Sequence, residues 1–257
     1  MARRKLLKRE DREGLLGVPA DEESLIRHYT LSPADQLEIT VCRRRHNRLG
    51  FAIQLCLMRY PGRALTPNEV PPKAMLHYVA EQLGAEPGSF AFYARRDPTR
   101  LEHVSQLLAY LGMSAANAAD RRAALISAIK AASTTDKGPM IAQAIITTLR
   151  ERHVLLPTPD SIERIGLAAR AIARRQAEAA LISGFSPEQL QSFDELLKVD
   201  PAIAQTRFHW LRSSSDAPAA GNLVAMMERL SFIRTLDVDP RLQDRIHPGR
   251  WDQMIRE

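Results

Sequence analysis

The sequence predicts an all-α protein built from several small helical modules. Many prolines directly follow Ser, Thr or Asp, and such pairs begin helices: proline tolerates the first helical position, and the preceding side chain caps a free backbone N–H. These pairs are Ser32-Pro33, Asp97-Pro98, Thr158-Pro159, Ser186-Pro187, Asp200-Pro201 and Asp239-Pro240. Alternating runs of Val, Ile and Thr, which are typical of strands, are almost absent, and the nearest, at 145–148, lies inside a helical pattern.

The first three predicted helices have the dimensions of a helix-turn-helix-like unit at the N-terminus. The first two carry short apolar faces that are expected to pack under the third. These faces are Leu25, Ile26 and Tyr29 in helix 22–29 and Leu37, Ile39 and Val41 in helix 32–41. The third helix, 47–59, has an apolar face at helical spacing, formed by Leu49, Ala52, Ile53 and Cys56.

The later helices follow from the same start signals and from glycines at their ends. Gly84, Gly112 and Gly184 lie where helices are expected to stop. A long helix after Pro159 is expected to bury a stripe that includes Ile162, Ile165 and Ala169. The predicted helices beyond the first three are 72–83, 98–111, 118–132, 139–153, 160–183, 187–198, 220–235 and 249–256.

Three domains follow from the turn-forming segments between the helices. We predict an N-terminal helix-turn-helix-like module at 1–64, a second helical module at 65–136 and a third helical module at 137–257. No internal repeat at a fixed period is found, which disfavours a solenoid. At 257 residues the chain is long enough for a substantial core.

Composition narrows the class of protein. The net charge of +6 favours an acidic partner. This charge is small for the chain length, so it counts mainly where basic residues are clustered. The two cysteines, Cys42 and Cys56, do not form a disulfide framework, so the cytoplasm is the expected compartment. Neither a signal peptide nor an apolar run of membrane-spanning length is recognised, and no membrane partner is predicted.

A dense basic cluster lies at the start of the third predicted helix. A helix N-terminus attracts phosphate through its free N–H groups and partial positive charge, and added arginines strengthen this attraction. The cluster consists of Arg43, Arg44, Arg45, His46, Asn47 and Arg48. Asn47, Arg48, Phe51 and Gln54 are expected to lie away from the apolar face, where Arg, Asn and Gln side chains can read base edges. We predict a recognition helix in which Arg48 and Gln54 are the first candidates for base contact.

Two other interpretations of this cluster stay open. The arginines could form a solvated face that only improves solubility, although successive like charges repel one another without an anion. Asn47 could also serve as an N-cap instead of a base contact.

A second basic segment lies at the start of helix 98–111. Arg95, Arg96, Thr99 and Arg100 are expected to contact phosphates and so to position a duplex without reading its sequence. The alternative is that Asp97 and Glu102 neutralise these arginines on an ordinary surface.

Signals for catalysis, metals or cofactors are poor. Cys42 and His46 are one helical turn apart, but a structural zinc site needs about four ligands and no second pair is suitably spaced. Phosphate-binding glycine loops and the common hydrolase motifs are not recognised. We predict no enzymatic activity, no cofactor and no small-molecule substrate. The rival interpretations are a helical protein-interaction or regulatory module and a nuclease whose carboxylates converge only in three dimensions.

Several segments, spread in order over nearly the whole chain, match one known family of proteins. They are Arg27–Ser32, His46–Cys56, Arg59–Gly62, Tyr93–Arg96, Thr99–His103, His153–Pro157, Ile162–Arg164, Trp210–Arg212 and Ile246–Arg250. In these segments the sequence resembles the N-terminal region of transposases of the Tn-three family, which are encoded by replicative transposons with terminal inverted repeats.

This resemblance implies a specific partner. In that family the N-terminal region consists of helical modules that engage the terminal inverted repeats, so double-stranded DNA is the implied ligand, in a bacterial cytoplasm and on the nucleoid. The family's metal-bound Asp-Asp-Glu site lies in a later part of a much longer chain and cannot be carried over to any residue here. Full-length transposase or a second copy of the chain is a further implied partner, and a truncated transposase of this kind could inhibit transposition.

Overall fold

The protein is described from a computed structural model, in which residues 5–67, 69–93, 97–213 and 220–256 are described. Their regular secondary structure is almost entirely helical, which confirms the predicted all-α class. The helices are α1 (Arg9–Leu16), α2 (Glu22–Tyr29), α3 (Pro33–Thr40), α4 (Arg45–Arg59), α5 (Lys73–Gln82), α6 (Asp97–Tyr110), α7 (Ala118–Ala132), α8 (Gly138–Glu151), α9 (Pro159–Ile182), α10 (Pro187–Leu196), α11 (Arg207–Arg212), α12 (Ala220–Thr235) and α13 (Pro248–Arg256). Two 3-10 turns, Pro87–Phe92 and Leu242–Arg245, and a short antiparallel pair, β1 (Val199–Asp200) and β2 (Gln205–Thr206), complete the described secondary structure.

The predicted helices are found within a few residues of their expected bounds, and two further helices were missed. α1 was missed because its sequence is mostly charged; the Asp11 carboxylate accepts the backbone N–H of Lys8 at 3.0 Å at its start. α11 is only six residues long, and the Thr206 hydroxyl caps it by accepting the N–H of His209 at 3.0 Å.

A first hydrophobic cluster is formed by α2 to α6 with α4 at its centre. Every residue of α4 from Leu49 to Met58 is buried, because α2, α3, α5, α6 and the turn Pro87–Phe92 all pack around it. The expected apolar faces of the first two helices are only partly correct. Leu25, Tyr29 and Ile39 enter the core, whereas Ile26, Leu37 and Val41 are more than half exposed.

A second hydrophobic cluster is formed by α1, α7, α8 and the first part of α9. α7 packs along α8, and the N-terminal segment with Leu6, Leu7 and Leu16 closes over them. Gly138 allows this closure, since a Cβ there would lie 1.8 Å from the carbonyl oxygen of Leu6. An ion pair of 2.5 Å between Arg12 and Glu163 joins α1 to α9.

The two clusters are joined by backbone pairing into one unit that extends from Met1 to Ala173. The N–H of Leu156 donates to the carbonyl of Gly62 at 2.9 Å, and the Arg150 guanidinium donates to the carbonyl of Pro61 at 2.7 Å. This grouping differs from the predicted boundaries at 64/65 and 136/137. α5 and α6 complete the core of the first three helices, and α7 and α8 pack together across the second boundary.

The second unit extends from Arg174 to Glu257 and contains the end of α9 together with α10 to α13. Its aromatic contacts include Trp210 against Phe232, with ring centroids 5.8 Å apart, and the Arg207 guanidinium 5.5 Å from the Trp210 ring. The side-chain amide of Gln189 donates to the carbonyl of Asp237 at 2.8 Å. Over the described residues of both units, no helix combines the length and apolar character that crossing a membrane requires.

Candidate nucleic-acid interface

The candidate interface is built on two helices that run parallel. About halfway along both helices, the ring of Phe51 on α4 meets the ring of His103 on α6 edge-on, with centroids 5.1 Å apart. At their ends, Arg59 and Tyr110 both bind the carboxylate of Asp35, with an Arg59 Nη1 to Asp35 Oδ2 distance of 2.8 Å and a Tyr110 Oη to Asp35 Oδ1 distance of 2.8 Å. Both helix N-termini therefore point to the same end of the first cluster, where their partial positive charges add.

Asp35 fixes the opposite, C-terminal end of this pair. Its side chain is fully buried and accepts hydrogen bonds from Arg59, from Tyr110 and from the backbone N–H of Ser32 at 2.8 Å. Burial alone would raise the pKa of the Asp35 carboxyl, but these hydrogen bonds outweigh it and hold the pKa well below its usual range. The carboxylate therefore stays ionised and bound to both helices.

A buried polar cluster joins the residues before α4 and before α6 to the middle of α6. The Tyr93 hydroxyl lies 3.1 Å from Nδ1 of His103, and Sγ of Cys42 lies 3.7 Å from its Nε2. Burial lowers the pKa of His103, so the imidazole is held neutral and contributes no charge to the surface. Gly50 lets the Tyr93 ring approach α4, because a Cβ at this position would lie 2.0 Å from the ring.

Arg43, Arg44 and Arg45 lie at this end, just before and at the first residue of α4, and all three are exposed. Arg44 is the N-cap residue and makes no side-chain cap, and the first turn of α4 carries no acidic residue. The free N–H groups of α4 therefore lie next to three exposed arginines, without a carboxylate from the described first turn. Free N–H groups and positive charge at a helix start are the features that favour an anion.

The rest of the first basic segment is tied more closely to the fold. Arg48 is partly buried, and its Nε donates to the carbonyl of Cys42 at 2.7 Å, which closes the turn before α4. Asn47 is the third residue of α4 and not its N-cap, so that alternative is wrong. His46 is partly exposed on the same turn.

The structure corrects the predicted recognition helix at Gln54 and Phe51. Both were expected on an exposed side of the helix, but Gln54 is fully buried and Phe51 is 1% exposed. The Gln54 carboxamide oxygen accepts the backbone N–H of Leu65 at 2.9 Å. A base contact by Gln54 is therefore wrong for this fold, and α4 cannot lie lengthwise in a groove because its residues from Leu49 to Met58 are buried.

The second basic segment reaches the same end of the cluster. Thr99 and Arg100 lie in the first turn of α6 and are partly buried, with Arg100 Nη1 at 3.5 Å from the carbonyl oxygen of Leu65. Arg95 and Arg96 lie outside the described residues. The structure thus brings Thr99 and Arg100 to the end of the helix pair at which Arg43–Arg45 lie.

The sequence reasoning missed one residue of this surface. Phe92, at the end of the turn Pro87–Phe92, is 50% exposed, and its ring centroid lies 6.4 Å from that of His46. No periodic pattern marks it; the only signal is that an aromatic residue closely precedes a basic segment.

The fold and this surface define a helical protein with a cationic face at paired helix N-termini. Residues 6–169 match the protein family described as "Domain of unknown function (DUF4158)", which is nearly the extent of the first unit. The whole chain is similar to the transposase for transposon Tn501 of Pseudomonas aeruginosa, with 35% identity over 257 residues, and to that for transposon Tn21 of Escherichia coli, with 34%. A more distant relative is the transposase for transposon Tn1546 of Enterococcus faecium, 26% identical over 98% of this chain.

The chain belongs to the DUF4158 family. Along its whole length it is similar to transposases, as its resemblance to the Tn-three family predicted. It spans about a quarter of its relatives, 26% of the length of each of the three transposases compared above.

Proposed function

We propose that the first unit binds double-stranded DNA at the terminal inverted repeats of a transposon, as part of a DNA transposase. The observation that carries this proposal is the convergence of two parallel helix N-termini with Arg43, Arg44 and Arg45. Three exposed arginines at such a site repel one another unless an anion lies between them, and a phosphate backbone supplies a row of anions. The similarity to transposases supports DNA as the source of that anion.

In this proposal the helix ends, rather than the side of α4, meet the duplex. Arg43, Arg44 and Arg45 bind phosphates and set the register, and Thr99 and Arg100 hold a neighbouring phosphate. His46 and Asn47 lie on the first turn of α4, from which side chains of an inserted helix end can reach base edges in the major groove. Arg48 supports the turn through Cys42 and contributes charge.

Strand cleavage and transfer are assigned to another part of a transposase in this proposal. The relatives are about four times as long as this chain, and the surface described above is suited to holding an anion. The proposed role of the chain is therefore recognition without catalysis.

The test is a salt titration of DNA binding by two triple variants. Replacing Arg43, Arg44 and Arg45 with Ala removes three phosphate contacts, and the slope of log K against log salt is expected to fall by roughly 2 to 3. The control replaces three exposed basic residues of the second cluster and removes the same charge. These residues are Arg122, Lys130 and Arg164.

The control variant is expected to keep the wild-type slope, because its charges lie on helices of the other cluster. An equal loss of slope in both variants would show that net charge alone governs binding and would overturn the assignment of the site. An unchanged slope in the first variant would do the same.

A second candidate function is protein interaction through the second unit. Leu223, Met226, Leu230 and Ile233 on α12 are each more than 40% exposed, and their spacing is that of a helix-pairing seam. A second copy of the chain or full-length transposase would be the partner. Sedimentation velocity over a range of concentrations tests this function: self-association that is lost in Leu230→Gln supports pairing, and a monomer at all concentrations contradicts self-pairing.

A further inference from the structure

Phe92 is an exposed aromatic side chain held on a rigid turn. Its neighbours Phe90 and Tyr93 are only 8% and 9% exposed, and their rings pack together with centroids 5.7 Å apart. Tyr93 is further fixed by Gly50 and His103. The backbone around Phe92 is therefore anchored on both sides, while half of its own side chain faces solvent.

The position of Phe92 distinguishes it from other exposed apolar residues. Single exposed apolar side chains are common, so exposure alone decides nothing. The Phe92 ring, however, lies beside His46 on the first turn of α4, directly after Arg43–Arg45. It therefore lies within reach of any duplex that the arginines hold.

The arginines cannot supply selectivity through phosphate contacts, because every sequence has the same backbone. An apolar contact with a base can supply this selectivity, because bases differ in the apolar groups that they present. In the major groove, each thymine presents a C5-methyl group that a phenyl ring can cover, and the groove is wide enough to admit a helix end while the minor groove is not. Since Phe92 adjoins the first turn of α4, it would enter the same groove as that turn.

We propose that Phe92 is a specificity-determining residue that packs on a thymine methyl group in the major groove of the bound repeat. This inference rests on the proposed function, since it requires the first unit to bind duplex DNA. It assigns selectivity to an apolar contact and affinity to the arginines. Thymine is then the preferred base at the contacted position, and loss of the phenyl ring removes that preference.

The test replaces thymines of the repeat, one at a time, by deoxyuridine, which lacks only the methyl group. The probe is a labelled duplex of the terminal inverted repeat from the transposon that encodes the chain, compared with a scrambled duplex of equal length. Wild-type protein is expected to lose about fourfold in affinity at one or two positions, the equivalent of one buried methyl group. Phe92→Ala is expected to bind the unmodified repeat more weakly and to be insensitive to deoxyuridine at those positions.

Two further variants keep this test decisive. Phe92→Leu retains apolar surface and is expected to keep part of the sensitivity to the methyl group. Ile126→Ala truncates a comparably exposed apolar side chain on α7, in the second cluster, and is expected to behave as wild type. Because Phe92 is half exposed, its truncation leaves the core intact, and an unchanged melting temperature verifies this.

The possible failures are distinguishable. If wild-type protein binds the repeat and the scrambled duplex equally, the proposed function itself is contradicted. If wild-type protein prefers the repeat and Phe92→Ala keeps both that preference and the full deoxyuridine sensitivity, only the role of Phe92 is overturned. An unchanged salt slope in Phe92→Ala is expected in either case, since no phosphate contact is removed.

Discussion

Substituting alanine at Gly50 tests the packing that holds the candidate interface together. The added Cβ would lie 2.0 to 2.4 Å from three atoms of the Tyr93 ring, well inside van der Waals contact. The ring cannot move freely, because it is 9% exposed and its hydroxyl is bonded to His103. Either the ring is displaced and that hydrogen bond is lost, or α4 and the turn Pro87–Phe92 separate.

The expected cost combines three effects. Overpacking a core costs about 1–3 kcal/mol, and a lost buried hydrogen bond costs about 1 kcal/mol more. Against this, alanine favours a helix over glycine by about 1 kcal/mol. The free energy of unfolding of Gly50→Ala is therefore expected to fall by about 1–3 kcal/mol.

Gly14 provides a matched control with the opposite sign. It lies inside α1, and a Cβ there would meet no atom within 4 Å. Gly14→Ala is expected to stabilise the protein by about 0.5–1 kcal/mol, since only helix propensity changes. Urea denaturation followed by circular dichroism measures both variants, and a Gly50→Ala protein as stable as Gly14→Ala would refute the proposed packing of Tyr93 against α4.

Two further substitutions test other contacts. Asp35→Asn removes the charge that binds Arg59 and is expected to cost about 2–3 kcal/mol at neutral pH. Because the folded state lowers the pKa of Asp35, its contribution is present above the ordinary carboxyl pKa and is lost as pH falls through that value toward the folded one. Acid denaturation should therefore be flatter in the variant, and equal pH dependence would contradict the role of Asp35. Gln54→Ala leaves the N–H of Leu65 unpaired in the core and should cost about 1–3 kcal/mol in urea denaturation while the salt slope of DNA binding stays unchanged. Loss of base discrimination at unchanged stability would instead restore Gln54 as a base reader.

The helix positions were largely predictable because their signals are local. Ser32 and Ser186 cap α3 and α10 as their Ser-Pro pairs predicted, each accepting a backbone N–H three residues on. The environment of α4 was harder to predict. The helix was predicted to be amphipathic, with one apolar face. Leu55, Leu57 and Met58 instead make it apolar on every side, and a helix of this kind is buried.

The geometry of the candidate interface depended on contacts between residues far apart in sequence. Asp35 joins Arg59 to Tyr110, and this contact holds the ends of α4 and α6 side by side. No periodicity carries that information. The two basic segments could be recognised separately, but their position at one end of the cluster follows from long-range contacts such as the packing of His103 against Phe51.

The most direct test of DNA recognition by this chain is a salt titration of its binding to a labelled terminal inverted repeat against a scrambled duplex of equal length. We expect a preference of about a hundredfold or more for the repeat that persists near physiological salt. Equal affinities that fall together as salt rises would contradict sequence recognition and would leave only a basic surface.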